Sequence, residues 1–240
     1  MMQLLSHIAL QLRVGVRDAA YMFTSIVLPA GLYWFFAVPE SNSPYAAVYL
    51  TGSFCAFSFF GVVFLQYAIH TAQERNSPWS QYLSTLPIRP HVIIFARFIT
   101  SVLLGTLACS MIYLVSKAFT PSDLSLPVFA QMMGLLTLGS LPFLLMGLVV
   151  GNAFNEKAVV PVANFIHLVL SFAGGLWKPP EILPEAIQKI TPWLPTYHYG
   201  ILAWSLSSEE VTITTENVVY LAGFALAMTA LLCLQKLRGK

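Results

Sequence analysis

The residues of this chain that could do chemistry are few, and most stand alone. The five histidines fall at 7, 70, 91, 167 and 198, without the spacing that gathers ligands round a metal. Within the apolar runs the serine–histidine couple is His167 and Ser171, one helical turn apart, with no orienting acid and no oxyanion motif beside it. Gly-x-Ser-x-Gly, His-Glu-x-x-His and the phosphate-cradling Gly-x-x-x-x-Gly-Lys-Ser/Thr loop are all absent. We therefore expect no catalytic residue, no metal and no cofactor in this chain, and no nucleotide hydrolysis by it alone. The ten acidic residues lie in loops or at the ends of apolar runs. No intramembrane carboxylate pair is present, which weakens an ion-coupled carrier as a reading.

Three sets of residues remain. Phe54, Phe57, Phe60, Phe64 and Tyr67 recur at three- and four-residue steps and share one helical face. Such a row either stacks flat or amphiphilic cargo in a cavity or packs against lipid and neighbouring helices. Asn164, His167 and Ser171 share a side of a later run; polar groups at membrane depth usually turn inward and bond across helices. On this reading they face a cavity, with His167 a packing histidine rather than a proton relay. The third set is Glu74-Arg75 together with Arg97, charged residues at the edges of two apolar runs.

The elements that position these sets are membrane helices. The chain has 240 residues, 57% apolar and 9% charged, with a mean hydropathy of +0.73. A soluble domain is about a quarter charged, so a soluble enzyme is nearly excluded. A net charge of +2, scattered along the chain, does not suit a nucleic-acid binder. Cys55, Cys109 and Cys233 each sit inside an apolar run and read as small hydrophobes. Six runs reach the roughly 20 residues a bilayer crossing needs: 20–38, 46–69, 92–115, 128–150, 158–177 and 218–234. Pro29 and Pro161 are expected as kinks. Within the fourth run, Gly147 and Gly151 have the small-residue spacing of a close helix contact.

With the N-terminus inside, the inner segments hold Arg13, Arg17, Arg75, Arg89, Arg97, Lys157, Lys236, Arg238 and Lys240; the outer ones hold Lys117, Lys178 and Lys189. That bias puts both termini in the cytoplasm. Residues 1–18 carry no signal-peptide pattern and read as an amphipathic interfacial helix, with Leu4, Leu5, Ile8, Leu12 and Val16 near one face. Two connections are longer than simple connectors require. The inner one, 70–90, reads HTAQERNSPWSQYLSTLPIRP; Ser77 and Pro78 can open a helix on which Trp79, Tyr82 and Leu83 form an apolar patch. The outer one, 178–217, holds a proline-bounded helix with Ala186, Ile187 and Ile190 on one face, then an apolar stretch at 197–206. Both outer pieces are expected to dip into the outer leaflet.

These features resemble the ABC type-2 permeases. The stretch Glu74-Arg75, Tyr82-Leu83, Leu86-Pro87 and Arg97 is similar to that family's loop between the second and third spans. Gly174, Pro180, Leu183, Pro184, Pro195 and Tyr197 match its outer signature. Together with the topology, the resemblance covers essentially the whole chain as one permease domain, 1–240. It implies an all-α membrane protein with six transmembrane helices, an N-terminal interfacial helix, a cytoplasmic coupling helix and short outer re-entrant helices. It also implies a half-transporter of a bacterial plasma membrane. A second permease subunit, identical or not, would pair with it, and a separate ABC ATPase subunit would bind ATP and Mg²⁺. Glu74, Arg75, Trp79, Tyr82, Leu83 and Pro87 would form the ATPase-coupling element, with Arg97 as its structural brace. The expected partners are that ATPase, the second permease, membrane lipid and a small amphiphilic, drug- or antibiotic-like substrate, with no nucleic acid. An ion-coupled secondary transporter, or ABC export of a lipid-linked saccharide or peptide, is the alternative.

Overall fold

The computed structural model describes residues 17, 19–75, 90–207 and 211–238. The expected interfacial helix, apart from Arg17, and Trp79, Tyr82, Leu83 and Pro87 of the expected coupling element lie outside the described residues. Among those described, helices and turns account for the whole fold and there is no strand.

Helix α1 runs over residues 19–40, with two π-helical turns, Phe23–Val27 and Tyr33–Ala37, on either side of the α-helical turn that holds Pro29. In the first of these, the Leu28 N–H bonds the Phe23 carbonyl five residues back, a wider turn that shifts register next to a proline lacking its own donor. Helix α2, Pro44–Glu74, begins at Ser43, whose hydroxyl accepts the Ala46 N–H at 3.1 Å, with Pro44 in the first turn where no donor is missed. Helix α3 is Pro90–Phe119. Helices α4, Leu126–Gly139, and α5, Leu141–Ala153, follow, and α6, Glu156–Ala173, is capped by Asn155, whose side chain accepts the Ala158 N–H at 2.9 Å. The short α7, Glu185–Gln188, lies between 3₁₀ turns at Pro180–Ile182 and Thr191–Trp193. Helix α8, Pro195–Trp204, and α9, Thr215–Arg238, complete the chain.

Among the described residues five helices are long and apolar enough to cross a membrane, and α4 with α5 supplies a sixth crossing if the pair is taken as one span bent by 41°. The expected continuous run 128–150 is thus broken at Ser140. Pro142 has no N–H to offer and its ring crowds the preceding turn. The Ser140 N–H bonds Thr137 instead of reaching back four residues, and the Leu136 carbonyl so released accepts the Tyr199 hydroxyl at 3.1 Å. Helix α8 therefore plugs the bend, which is why it is buried along nearly its whole length. The expected outer stretch 197–206 packs inside the protomer rather than only skirting the bundle.

Helix α2 is the central post. Of the residues in its most apolar stretch 94% are buried, against 11% in α9, so α2 is enclosed by protein and α9 is not. α3, α5, α6 and α8 surround it. The closest approach is to α5. A methyl group on Gly147 would stand 2.7 Å from the Phe64 carbonyl, and one on Gly151 2.6 Å from the Ala68 carbonyl; backbone meets backbone there because both positions lack a side chain. Open apolar faces remain on α1 (Trp34, Phe35), α6 (Phe165, Leu168) and α9 (Leu226, Leu237), suited to lipid or to another chain.

Candidate functional site

Polar organisation is concentrated at the two ends of the bundle. At the end where α2 finishes, Arg97 on α3 turns across to α2. Its Nη2 donates to both carboxylate oxygens of Glu74 at 2.7 Å, and its guanidinium lies 5.8 Å from the Tyr67 ring centre. The Arg97 side chain is 8% exposed and that of Glu74 35%, so the cation is the hidden partner. Tyr67 donates its hydroxyl to the Ile94 carbonyl at 2.6 Å. One turn further in, Ser101 donates to Gln66. Arg75 reaches the other way, its Nη1 donating to the Asn152 carbonyl at 2.6 Å at the end of α5. Glu74, Arg75 and Arg97 thus tie the ends of α2, α3 and α5 where residues 76–89 leave and return. The two charges expected to set the register of a docking helix are engaged within the protomer.

The aromatic row lies inside the bundle, against neighbouring helices. Phe54, Phe60, Phe64 and Tyr67 are fully buried and Phe57 nearly so. Phe60 meets Phe143 at 4.5 Å and Phe64 at 5.5 Å between ring centres. Phe57 stacks on the His167 imidazole at 4.7 Å, and His167 Nε2 sits 3.2 Å from the Phe57 carbonyl. Here the row makes the α2–α5–α6 core. His167 and Ser171 lie in the stripe of α6 that faces α2, with Val159 and Ala163. Asn164 is not brought together with them. It is exposed and donates to the Val160 carbonyl of its own helix at 2.9 Å. Cys55 and Cys109 are buried free thiols, each near the other's backbone carbonyl.

The opposite end holds what sequence reasoning missed. A cavity of about 880 Å³ opens between the end of α1, the start of α2, the 177–182 loop and α8. Tyr45, Tyr49, Trp177, Tyr197 and Trp204 supply aromatic walls, and Glu40, Glu181 and Lys178 the charges. Gly175, at φ +82°, turns the chain sharply enough for Pro180 to fold back against it. The proline-rich WKPPE run was the visible signal; its partners on α1 and α2, far back in the chain, were not. Beside the cavity, Asn217 donates to His198 Nδ1 at 3.0 Å, since its oxygen already accepts from Thr214. His198 Nε2–H therefore donates to the Pro192 carbonyl at 2.9 Å. Burial pulls the His198 pKa below its ordinary value.

Among the described residues no group of three or more His, Cys, Asp and Glu could hold a metal. An all-helical bundle with five or six apolar crossings, polar ties gathered at its ends and a cavity between helices is a multi-pass membrane protein of transporter type. The chain belongs to the ABC-2 transporter family: the pattern described as "ABC-2 family transporter protein" matches residues 11–234. It is also 31% identical over 198 residues, 80% of each chain, to the Bacillus subtilis (strain 168) protein named "Putative transport permease YvfS". It is accordingly a membrane subunit for transport, and the family implies an ATPase partner.

Proposed function

We propose that the chain is the membrane half of an ATP-driven exporter in a bacterial plasma membrane, with both termini cytoplasmic. It pairs with a second permease subunit and takes its energy from a separate ABC ATPase that binds ATP and Mg²⁺. Its cargo is hydrophobic or amphiphilic. Transport is by alternating access, in which ATPase closure shifts the balance between two arrangements of the helices.

The observation that carries this reading is the tie among Glu74, Arg75 and Arg97. A partner that pushes on residues 76–89 acts on a segment whose two roots are joined to each other and, through Arg75, to α5. The push is delivered to three helices together rather than absorbed by one. Trp79, Tyr82 and Leu83 provide the apolar patch, at helical spacing, that a groove on a soluble partner would take, ahead of Pro87. His167, Ser171 and the aromatic row serve as packing within the half-transporter.

The test is reconstitution in liposomes together with a candidate ABC ATPase subunit from the same organism. ATP-dependent efflux of amphiphilic dyes, and loss of co-purification in a Trp79→Ala/Leu83→Ala variant, are expected. Transport by the chain alone, or transport that survives ATP depletion but collapses with the proton gradient, would overturn the proposal.

A further inference from the structure

The cavity beside α8 is wide enough for a drug-sized molecule, since such sites run from about 300 to 1,000 Å³. Its walls are not merely apolar. Tyr49 and Trp204 stack with ring centres 5.1 Å apart and planes 13° from parallel, and Tyr197 meets Trp204 edge-on at 6.0 Å. On the far side Trp177 leans on Phe36 at 5.5 Å. Aromatic faces present negative charge density, and a cage of them holds organic cations. The formal charges point the same way. Glu40 and Glu181 stand against the single Lys178, and among the described residues the one salt bridge is Arg97–Glu74 at the other end of the bundle. Burial, with the charges of Glu181 and Glu216 adding to it, holds the Tyr197 hydroxyl above its ordinary pKa.

We propose that this cavity is a binding site for an organic cation with an apolar body, its charge set between Glu40 and Glu181 and its body against Tyr49, Trp177 and Trp204. That the site serves export rests on the function proposed above; the binding itself does not. A neutral amphiphile of the same shape gains only the apolar contacts, and an anionic one meets an unfavourable potential besides.

The experiment uses tetraphenylphosphonium and tetraphenylborate, two ions of matched shape and opposite charge, with the full chain in nanodiscs and no ATPase present. Radiolabelled tetraphenylphosphonium is expected to bind saturably, with tetraphenylborate a poor competitor. Glu40→Gln/Glu181→Gln should weaken binding about tenfold, because partly exposed charge pairs each contribute modestly and two are removed together. Lys178→Gln should tighten it a few-fold, an opposite sign that a folding defect does not mimic. Unsaturable binding, equal competition by tetraphenylborate, or unchanged affinity in both variants would overturn the site. Charge-dependent binding in a chain that fails to transport with its ATPase leaves the site standing and removes the export reading; ATP-driven efflux without such binding does the reverse.

Discussion

Breaking the Arg97–Glu74 tie should cost more from one side than from the other. Glu74→Gln leaves a guanidinium that is 8% exposed without its counter-charge, whereas Arg97→Met leaves a carboxylate that is 35% exposed and can turn towards water. Removing one partner of a buried pair costs about 3–5 kcal/mol. The partial exposure of Glu74 and the Tyr67 ring that stays beneath Arg97 bring this to about 2 kcal/mol for Glu74→Gln, and to about 1 kcal/mol for Arg97→Met. The double variant should cost less than the sum, with a coupling of about 1–2 kcal/mol. For a chain of this size 1 kcal/mol moves the midpoint by roughly 2–4 °C. Glu74→Gln should therefore lower Tm by about 4–8 °C and Arg97→Met by about half as much, read by thermal unfolding in one detergent at one protein concentration. The same variants, assembled with the ATPase, should hydrolyse ATP with reduced dependence on cargo. Equal losses from the two single variants, or strict additivity in the double, would refute the view that a hidden cation is held by a half-exposed anion.

Three further outcomes follow from the geometry. Gly147→Val should lower stability by about 1–3 kcal/mol, because its Cβ would stand 2.7 Å from the Phe64 carbonyl and force α5 off α2; a Tm equal to wild type would contradict the backbone contact. Phe60→Ala should cost about 3–5 kcal/mol and Phe60→Leu much less, as packing demands; altered cargo KM with unchanged stability in both would return Phe60 to the transport path. His198 has a depressed pKa in the folded protein, so its contribution to stability is fully present above the unfolded value of about 6.5 and is lost as pH falls from there through the folded value. Between pH 7.5 and 5 the Tm of wild type should fall more than that of His198→Asn, and parallel curves would dismiss the effect.

Hydropathy made the helices legible, because a bilayer-length apolar run has few other uses. It did not show the 41° bend, since a running average passes over Ser140 even though Pro142 stands beside it. Periodicity placed Phe54 to Tyr67 on one face but not what that face meets: when lipid and protein interior are equally apolar, the pattern is the same for both. Asn164 and Ser171 fall nearly in line on a helix, yet only the second is covered, because which stretch of a face a neighbouring helix covers depends on how the two cross, which a helical wheel does not contain. Arg97 was narrowed by charge to a few acidic partners, and geometry chose Glu74. The cavity drew on residues from 36 to 212, and nothing local in the chain announces such a meeting.

The enclosed position of α2 bears on how the protein reaches its folded state. Its neighbours α5, α6 and α8 are made after it, so a newly inserted α2 first stands among acyl chains and exchanges them for protein later. A largely apolar surface suits both environments, and the backbone bonds are already closed within the helix; the exceptions are side chains such as Ser53, whose partner Trp204 lies on the later α8. Synthesis order thus leaves only a few hydroxyl and amide side chains, Thr51, Ser53 and Gln66, to find Ser116, Trp204 and Ser101 once the later helices arrive.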